Sequence, residues 1–109
     1  MTIMTDQDIL GEVQRVVDGN HVALFLKGTP DQPRCGFSAR VVQRLDELGV
    51  PYAAVDVLVD PRIRQVLSGW SNWPTIPQLF VRGELVGGCD IIEEMAESGE
   101  LETLIAEAA

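Results

Sequence analysis

The sequence predicts an α/β fold in which a four-stranded mixed sheet carries helices on both faces. Two apolar runs, 21–26 and 52–57, lie on either side of a stretch with helical periodicity, and a strand–helix–strand unit of this kind makes a parallel pair with a right-handed crossover. Two further strand-like pieces, 78–81 and 84–86, flank Arg82-Gly83 and read as an antiparallel hairpin. Helical spacing recurs before, between and after these pieces, which supplies the covering layers.

Taken in order, Ile9, Leu10, Val13, Val16 and Val17 recur at helical spacing and predict an amphipathic helix over about 5–18, ended by Gly19-Asn20. The run 21–26 (His-Val-Ala-Leu-Phe-Leu) lacks polar alternation, as expected of a strand covered on both faces. Two prolines and a glycine make 27–34 a loop. Val41, Val42, Leu45 and Leu48 give a second helix up to Gly49, and 52–57 a second strand. Asp60-Pro61 is a helix start, an acid at the cap followed by proline at the first helical position; Ile63, Val66 and Leu67 form its inner face. After the hairpin, Gly87-Gly88 leads into one or two short helices through Ile91, Ile92, Met95, Leu101, Leu104 and Ile105. Trp70 and Trp73 read as packing residues. No repeat, low-complexity tract or linker interrupts the 109 residues, so 1–109 is expected to be a single domain.

The net charge of −9 argues against a nucleic-acid partner, since binders of the phosphate backbone present a basic face. No apolar run approaches the roughly 20 residues that span a bilayer, and the first residues lack the basic start and apolar stretch of a signal peptide, so a cytoplasmic protein without a membrane partner is expected. The charge is unevenly distributed. Lys27, Arg34, Arg40 and Arg44 accompany a single acid, Asp31, between 27 and 44, whereas seven acids and no cation follow Cys89.

Two cysteines, Cys35 and Cys89, are too few for a disulfide scaffold, and with His21 they cannot complete a four-ligand zinc site. Cys35 follows the first strand's loop and precedes the second helix, where ligands gather in such folds. Helix-start amides and a nearby cation can bring a thiol from about 8.5 to roughly 3.5–7.5. Cys35 is therefore a candidate nucleophile or metal ligand. A dithiol redox motif carries its second cysteine three residues on, but Ser38 stands there, so chemistry at Cys35 needs an outside thiol or Cys89. Whether Cys35 and Cys89 form a disulfide depends on a distance that sequence does not supply. Residues downstream of Cys89 are acidic and disfavour its thiolate.

Four segments, Lys27-Gly28-Thr29-Pro30, Cys35-Gly36-Phe37-Ser38, Trp73-Pro74-Thr75-Ile76-Pro77-Gln78 and Gly87-Gly88-Cys89-Asp90, resemble in content and order the signatures of the monothiol (CGFS-type) glutaredoxins. The likeness extends over about 9–105. It implies a thioredoxin-like fold with bound glutathione. Lys27 and Arg64 would hold the glycine carboxylate, and Thr75 and Ile76 would pair by backbone with the tripeptide's central residue. Pro77 would be cis, and Cys89 and Asp90 would meet the γ-glutamyl end. A lysine and an arginine for one carboxylate, with an aspartate and helix-start amides for the amino-acid end, suit glutathione's charges.

The same resemblance implies a [2Fe–2S] cluster held between two protomers. Such a cluster needs four thiolate-type ligands; two copies of Cys35 and two glutathione thiols complete the set. The expected function is cluster carriage by a homodimer, with delivery to apo iron–sulfur proteins and BolA-like proteins as cluster-sharing partners. The competing expectation is glutathione-dependent reduction of mixed disulfides by Cys35 alone.

Overall fold

The first helix begins at a reciprocal cap. The Thr5 hydroxyl accepts the Asp8 N–H at 3.1 Å while the Asp8 carboxylate accepts the Thr5 N–H at 2.9 Å. From there the computed structural model, which describes residues 4–107, runs α1 (Asp6–Gly19), β1 (Val22–Leu26), α2 (Gly36–Leu48), β2 (Ala53–Asp56), α3 (Pro61–Ser71), β3 (Gln78–Val81), β4 (Glu84–Gly87), α4 (Cys89–Ser98) and α5 (Glu100–Glu107). Asp60 caps α3 by accepting the Arg62 N–H at 3.0 Å, with Pro61 at the first helical position as expected. Gly99 adopts a left-handed φ of 85°, which ends α4 and starts a separate α5; the one-or-two-helix alternative resolves to two.

The four strands form one mixed sheet in the order β2-β1-β3-β4. β1 and β2 are parallel, with Leu26 opposite Asp56, while β3 runs antiparallel to both β1 and β4. Arg82 and Gly83 both have positive φ, 53° and 80°, the conformation whose twist matches a two-residue hairpin. A register irregularity between Leu79 and Phe80, which the alternation of the sequence does not announce, shifts the pairing with β4.

All five residues of β1 are buried. Val22, Leu24 and Leu26 pack with Val41, Leu45, Ile92, Leu101 and Ile105 of α2, α4 and α5. Ala23 and Phe25 point the other way, onto Ile9, Val13 and Val17 of α1 and Leu67 of α3. Phe25 meets Phe80 edge-on at 5.7 Å, and Trp70 stacks on Phe80 at 5.9 Å. With each buried Leu or Phe contributing about 1.5–3 kcal/mol, this two-sided packing fixes the end of β1 and hence the position of everything that follows it. Among the described residues no helix is long and apolar enough to cross a membrane.

Candidate functional site

The loop leaving β1 is tied down at nearly every step. The Lys27 N–H donates to Ser38 Oγ at 3.1 Å, and the Lys27 carbonyl accepts the Arg34 N–H at 2.8 Å. Gly28 donates its N–H to Asp56 Oδ1 at 2.9 Å, an oxygen that also accepts the Leu58 N–H at 2.9 Å. Gly28 has φ 93°, and a Cβ there would lie 2.4 Å from the Gln32 carbonyl oxygen, so only glycine fits this turn. The loop thus delivers Cys35 to the first turn of α2 in a fixed place.

Cys35 is the N-cap residue of α2, with extended backbone. Its side chain makes no cap hydrogen bond, so α2 starts without the acceptor that a serine or aspartate would supply. The thiol pKa is lowered, chiefly by the Ser38 N–H, with further help from the Phe37 N–H, the charge of Lys27 and the Ser38 hydroxyl; partial burial opposes them. Ser38 itself is fully buried, so the position of a second redox thiol is occupied by an internal hydrogen-bonding group. Of the four cations between 27 and 44, Lys27 is the one whose charge favours the Cys35 thiolate. Arg44 turns instead to α4, where it donates to both carboxylate oxygens of Glu93 at 3.2 and 3.0 Å.

Cys35 opens onto a groove of about 400 Å³, and all eight residues selected from sequence line it: Cys35, Lys27, Arg64, Thr75, Ile76, Pro77, Cys89 and Asp90. Among the described residues neither Lys27 nor Arg64 forms an ion pair, so both cations are available to an anionic ligand. Gly88 caps α4 without a side-chain acceptor, leaving that helix's first amides beside Cys89 and Asp90 for a ligand. The Ile76–Pro77 bond is cis. Both thiols are free, and their characters are opposite: Cys89 is buried, and burial followed by the charge of Glu93 pushes its pKa up.

The groove also contains residues that sequence did not single out. Phe37 is 54% exposed beside Cys35, with the Arg40 guanidinium 5.8 Å from its ring centre. Trp70 packs as expected, whereas Trp73 lines the groove. Gln78 is completely buried and holds the loop before β3. An exposed aromatic next to a candidate thiol was the available signal for Phe37; Gln78, polar within an apolar strand, was the signal for an internal brace.

The Glutaredoxin family model matches residues 22–86. The probable monothiol glutaredoxin GrlA of Legionella pneumophila is 58% identical over 85 residues, covering 78% of this chain and 96% of that protein. A monothiol glutaredoxin of Arabidopsis thaliana is 43% identical over 96% of this chain, but the chain spans only 23% of that longer relative. Among solved structures, reduced apo GrxS14 of poplar has a TM-score of 0.79 and 46% identity, covering 90% of each chain. A buckwheat glutaredoxin–glutathione complex has a TM-score of 0.83 and 27% identity, covering 94% of this chain and 92% of that one.

Proposed function

The chain belongs to the monothiol glutaredoxins, and we propose that it binds glutathione at Cys35 and, as a homodimer, carries a [2Fe–2S] cluster to apoproteins. One observation carries this reading: Cys35 opens onto the groove, is favoured as thiolate and has no second thiol on its helix, where Ser38 stands three residues on. The relative solved as a glutathione complex supports the choice of tripeptide.

Lys27 and Arg64 hold the glycine carboxylate through charge-assisted bonds. The backbone of Thr75 and Ile76 pairs with the central residue, Pro77 shapes that edge, and Cys89 and Asp90 receive the γ-glutamyl end: helix-start amides for its carboxylate, the aspartate for its amine. The tripeptide's thiol then lies beside Cys35. The cluster is cargo. Each chain offers one open sulfur and one borrowed thiol, so two protomers supply four ligands. Ligation through an exchangeable tripeptide suits delivery. The whole of 1–109 acts as one domain in the cytoplasm, with apo iron–sulfur proteins and BolA-like proteins as partners.

The test is anaerobic reconstitution with iron, sulfide and glutathione, which should yield a brown dimer from wild type and none from Cys35→Ser. A stable cluster on the serine variant overturns the assigned ligand.

The lowered pKa of Cys35 also supports a second reading, deglutathionylation by one thiol. The Cys35 thiolate attacks the glutathione sulfur of a mixed disulfide, releasing the protein thiolate and forming a Cys35–glutathione disulfide. A second glutathione thiolate then releases oxidised glutathione and regenerates Cys35. Brisk turnover by the cluster-free monomer, coupled to glutathione reductase, favours this reading; slow turnover favours the carrier.

A further inference from the structure

The segment between α3 and β3 supplies Trp73, Thr75, Ile76 and Pro77 to the groove, yet it belongs to no helix or strand. Its brace is the first side chain of β3. Gln78 is fully buried, and its Nε2 donates to the Trp73 carbonyl at 3.0 Å and to the Thr75 carbonyl at 3.2 Å. The other end of that amide, Oε1, is buried without a partner, as is the indole N–H of Trp73. One unpaired oxygen is offset by two donated bonds, and losing the amide would leave both loop carbonyls without this donor, so Gln78 stabilises the loop in one particular arrangement.

That arrangement fixes a peptide plane. In a trans peptide the carbonyl of one residue and the N–H of the next point in opposite directions. Gln78 draws the Thr75 carbonyl inward, so the Ile76 N–H, on the same plane, faces away from Gln78 and towards the groove. Among the described residues that N–H meets no protein acceptor. The Ile76 carbonyl likewise meets no protein donor among the described residues.

We propose that Gln78 is a positioning residue for the tripeptide: by holding the Thr75 carbonyl it aims the Ile76 N–H at the carbonyl of the ligand's central cysteine. This rests on the glutathione reading above. The brace acts through one peptide plane and leaves the Cys35 sulfur and its first-turn amides untouched.

Gln78→Met keeps a similar volume and removes both donors. Calorimetric titration with reduced glutathione, without air, should show binding about tenfold weaker than wild type, while the pH midpoint for alkylation of Cys35 stays in place. A second probe is a glutathione analogue whose cysteinyl carbonyl is replaced by CH₂. It should bind wild type about tenfold more weakly than glutathione does, and lose no more on Gln78→Met. Unchanged glutathione affinity in the variant overturns the proposal, as does an equal loss for both ligands or a displaced alkylation midpoint, either of which marks general damage. If Gln78→Met does not fold, Gln78→Asn replaces it; its amide is kept but sits one methylene short of the two carbonyls, and about a threefold loss confined to glutathione is expected. Failure of wild type to bind glutathione overturns the glutathione reading itself, whereas normal wild-type binding with an unaffected variant removes only the role of Gln78.

Discussion

Ser38 Oγ accepts the backbone N–H of Lys27 at 3.1 Å from a fully buried position, joining the first turn of α2 to the end of β1. The residue three places after Cys35 is therefore a staple between two elements as well as the site where a dithiol enzyme keeps its second sulfur. It also contributes to the lowered thiol pKa, through its own N–H first and its hydroxyl last.

Ser38→Ala leaves the Lys27 N–H without its acceptor, which costs about 1–3 kcal/mol when the group stays desolvated. Urea unfolding should show that loss as an earlier midpoint with an unchanged slope. The Cys35 alkylation midpoint should rise only slightly, because the stronger contribution, the residue-38 N–H, survives in alanine. A large rise would mean that the hydroxyl, not the helix start, sets the thiol.

The two cysteines should separate cleanly by pH. Iodoacetamide should modify Cys35 with a midpoint below the ordinary thiol value of about 8.5 and Cys89 with one above it, by mass spectrometry of the modified peptides. The stability consequences have opposite signs. Cys35, lowered on folding, stabilises the fold above the ordinary thiol pKa and loses that contribution as pH falls through its lowered value. Cys89, raised on folding, contributes below the ordinary value and loses its contribution as pH rises through the raised one. Preferential modification of Cys89 at neutral pH would contradict the arrangement.

Much of this was legible in the sequence because the relevant signals are local. The run 21–26 foretold a strand covered on both faces, which the fold realises one residue later as Val22–Leu26, and Asp60-Pro61 marked the start of α3 to the residue. Groove residues were legible through the motifs that carry them. The remainder depends on neighbours distant in sequence. Arg44 reads as part of a basic stretch around Cys35, but Glu93, 49 residues away, takes its guanidinium. Ser38 reads as a missing thiol until β1 is seen to end against it. Gln78 reads as a strand residue, and only the path of the preceding loop shows that its amide faces two carbonyls.

Gly28→Ala should be among the most damaging changes in the loop. The new Cβ would meet the Gln32 carbonyl at 2.4 Å and the Arg34 nitrogen at 2.7 Å, both backbone atoms, at a φ of 93° that alanine rarely adopts. Strain of this kind costs of order 1–3 kcal/mol before the clash is counted. Reduced thermal stability should be accompanied by weaker glutathione binding, because Lys27 and Cys35 lie at the two ends of this loop. Full retention of both would show that the turn can reopen without consequence.

The Arg44–Glu93 pair links α2 to α4, the two helices whose starts flank the groove. Glu93, with its carboxyl held below the ordinary range chiefly by its hydrogen bond from Arg44, contributes stability above that ordinary range and loses it as pH falls through the lowered value. Glu93→Gln should lower the melting temperature at neutral pH and low salt, with the gap shrinking as pH falls through the lowered value and narrowing in 1 M salt. A gap unchanged by acid and by salt would assign the effect to packing instead.

Lys27 and Arg64 share the groove and the proposed carboxylate, yet only one of them should tune the thiol. The charge of Lys27 helps lower the Cys35 pKa, and Arg64 has no such influence there. Replacing either with methionine removes a charge-assisted bond to the ligand, typically about 1.5–3 kcal/mol when shielded from water and less in an open groove. About a tenfold loss of glutathione affinity is therefore expected for each, smaller at high salt. Lys27→Met should also raise the alkylation midpoint of Cys35, while Arg64→Met should leave it unchanged. Equal shifts in both variants would mean that the thiol responds to the overall field of the groove, and the separate roles given to the two cations would fail.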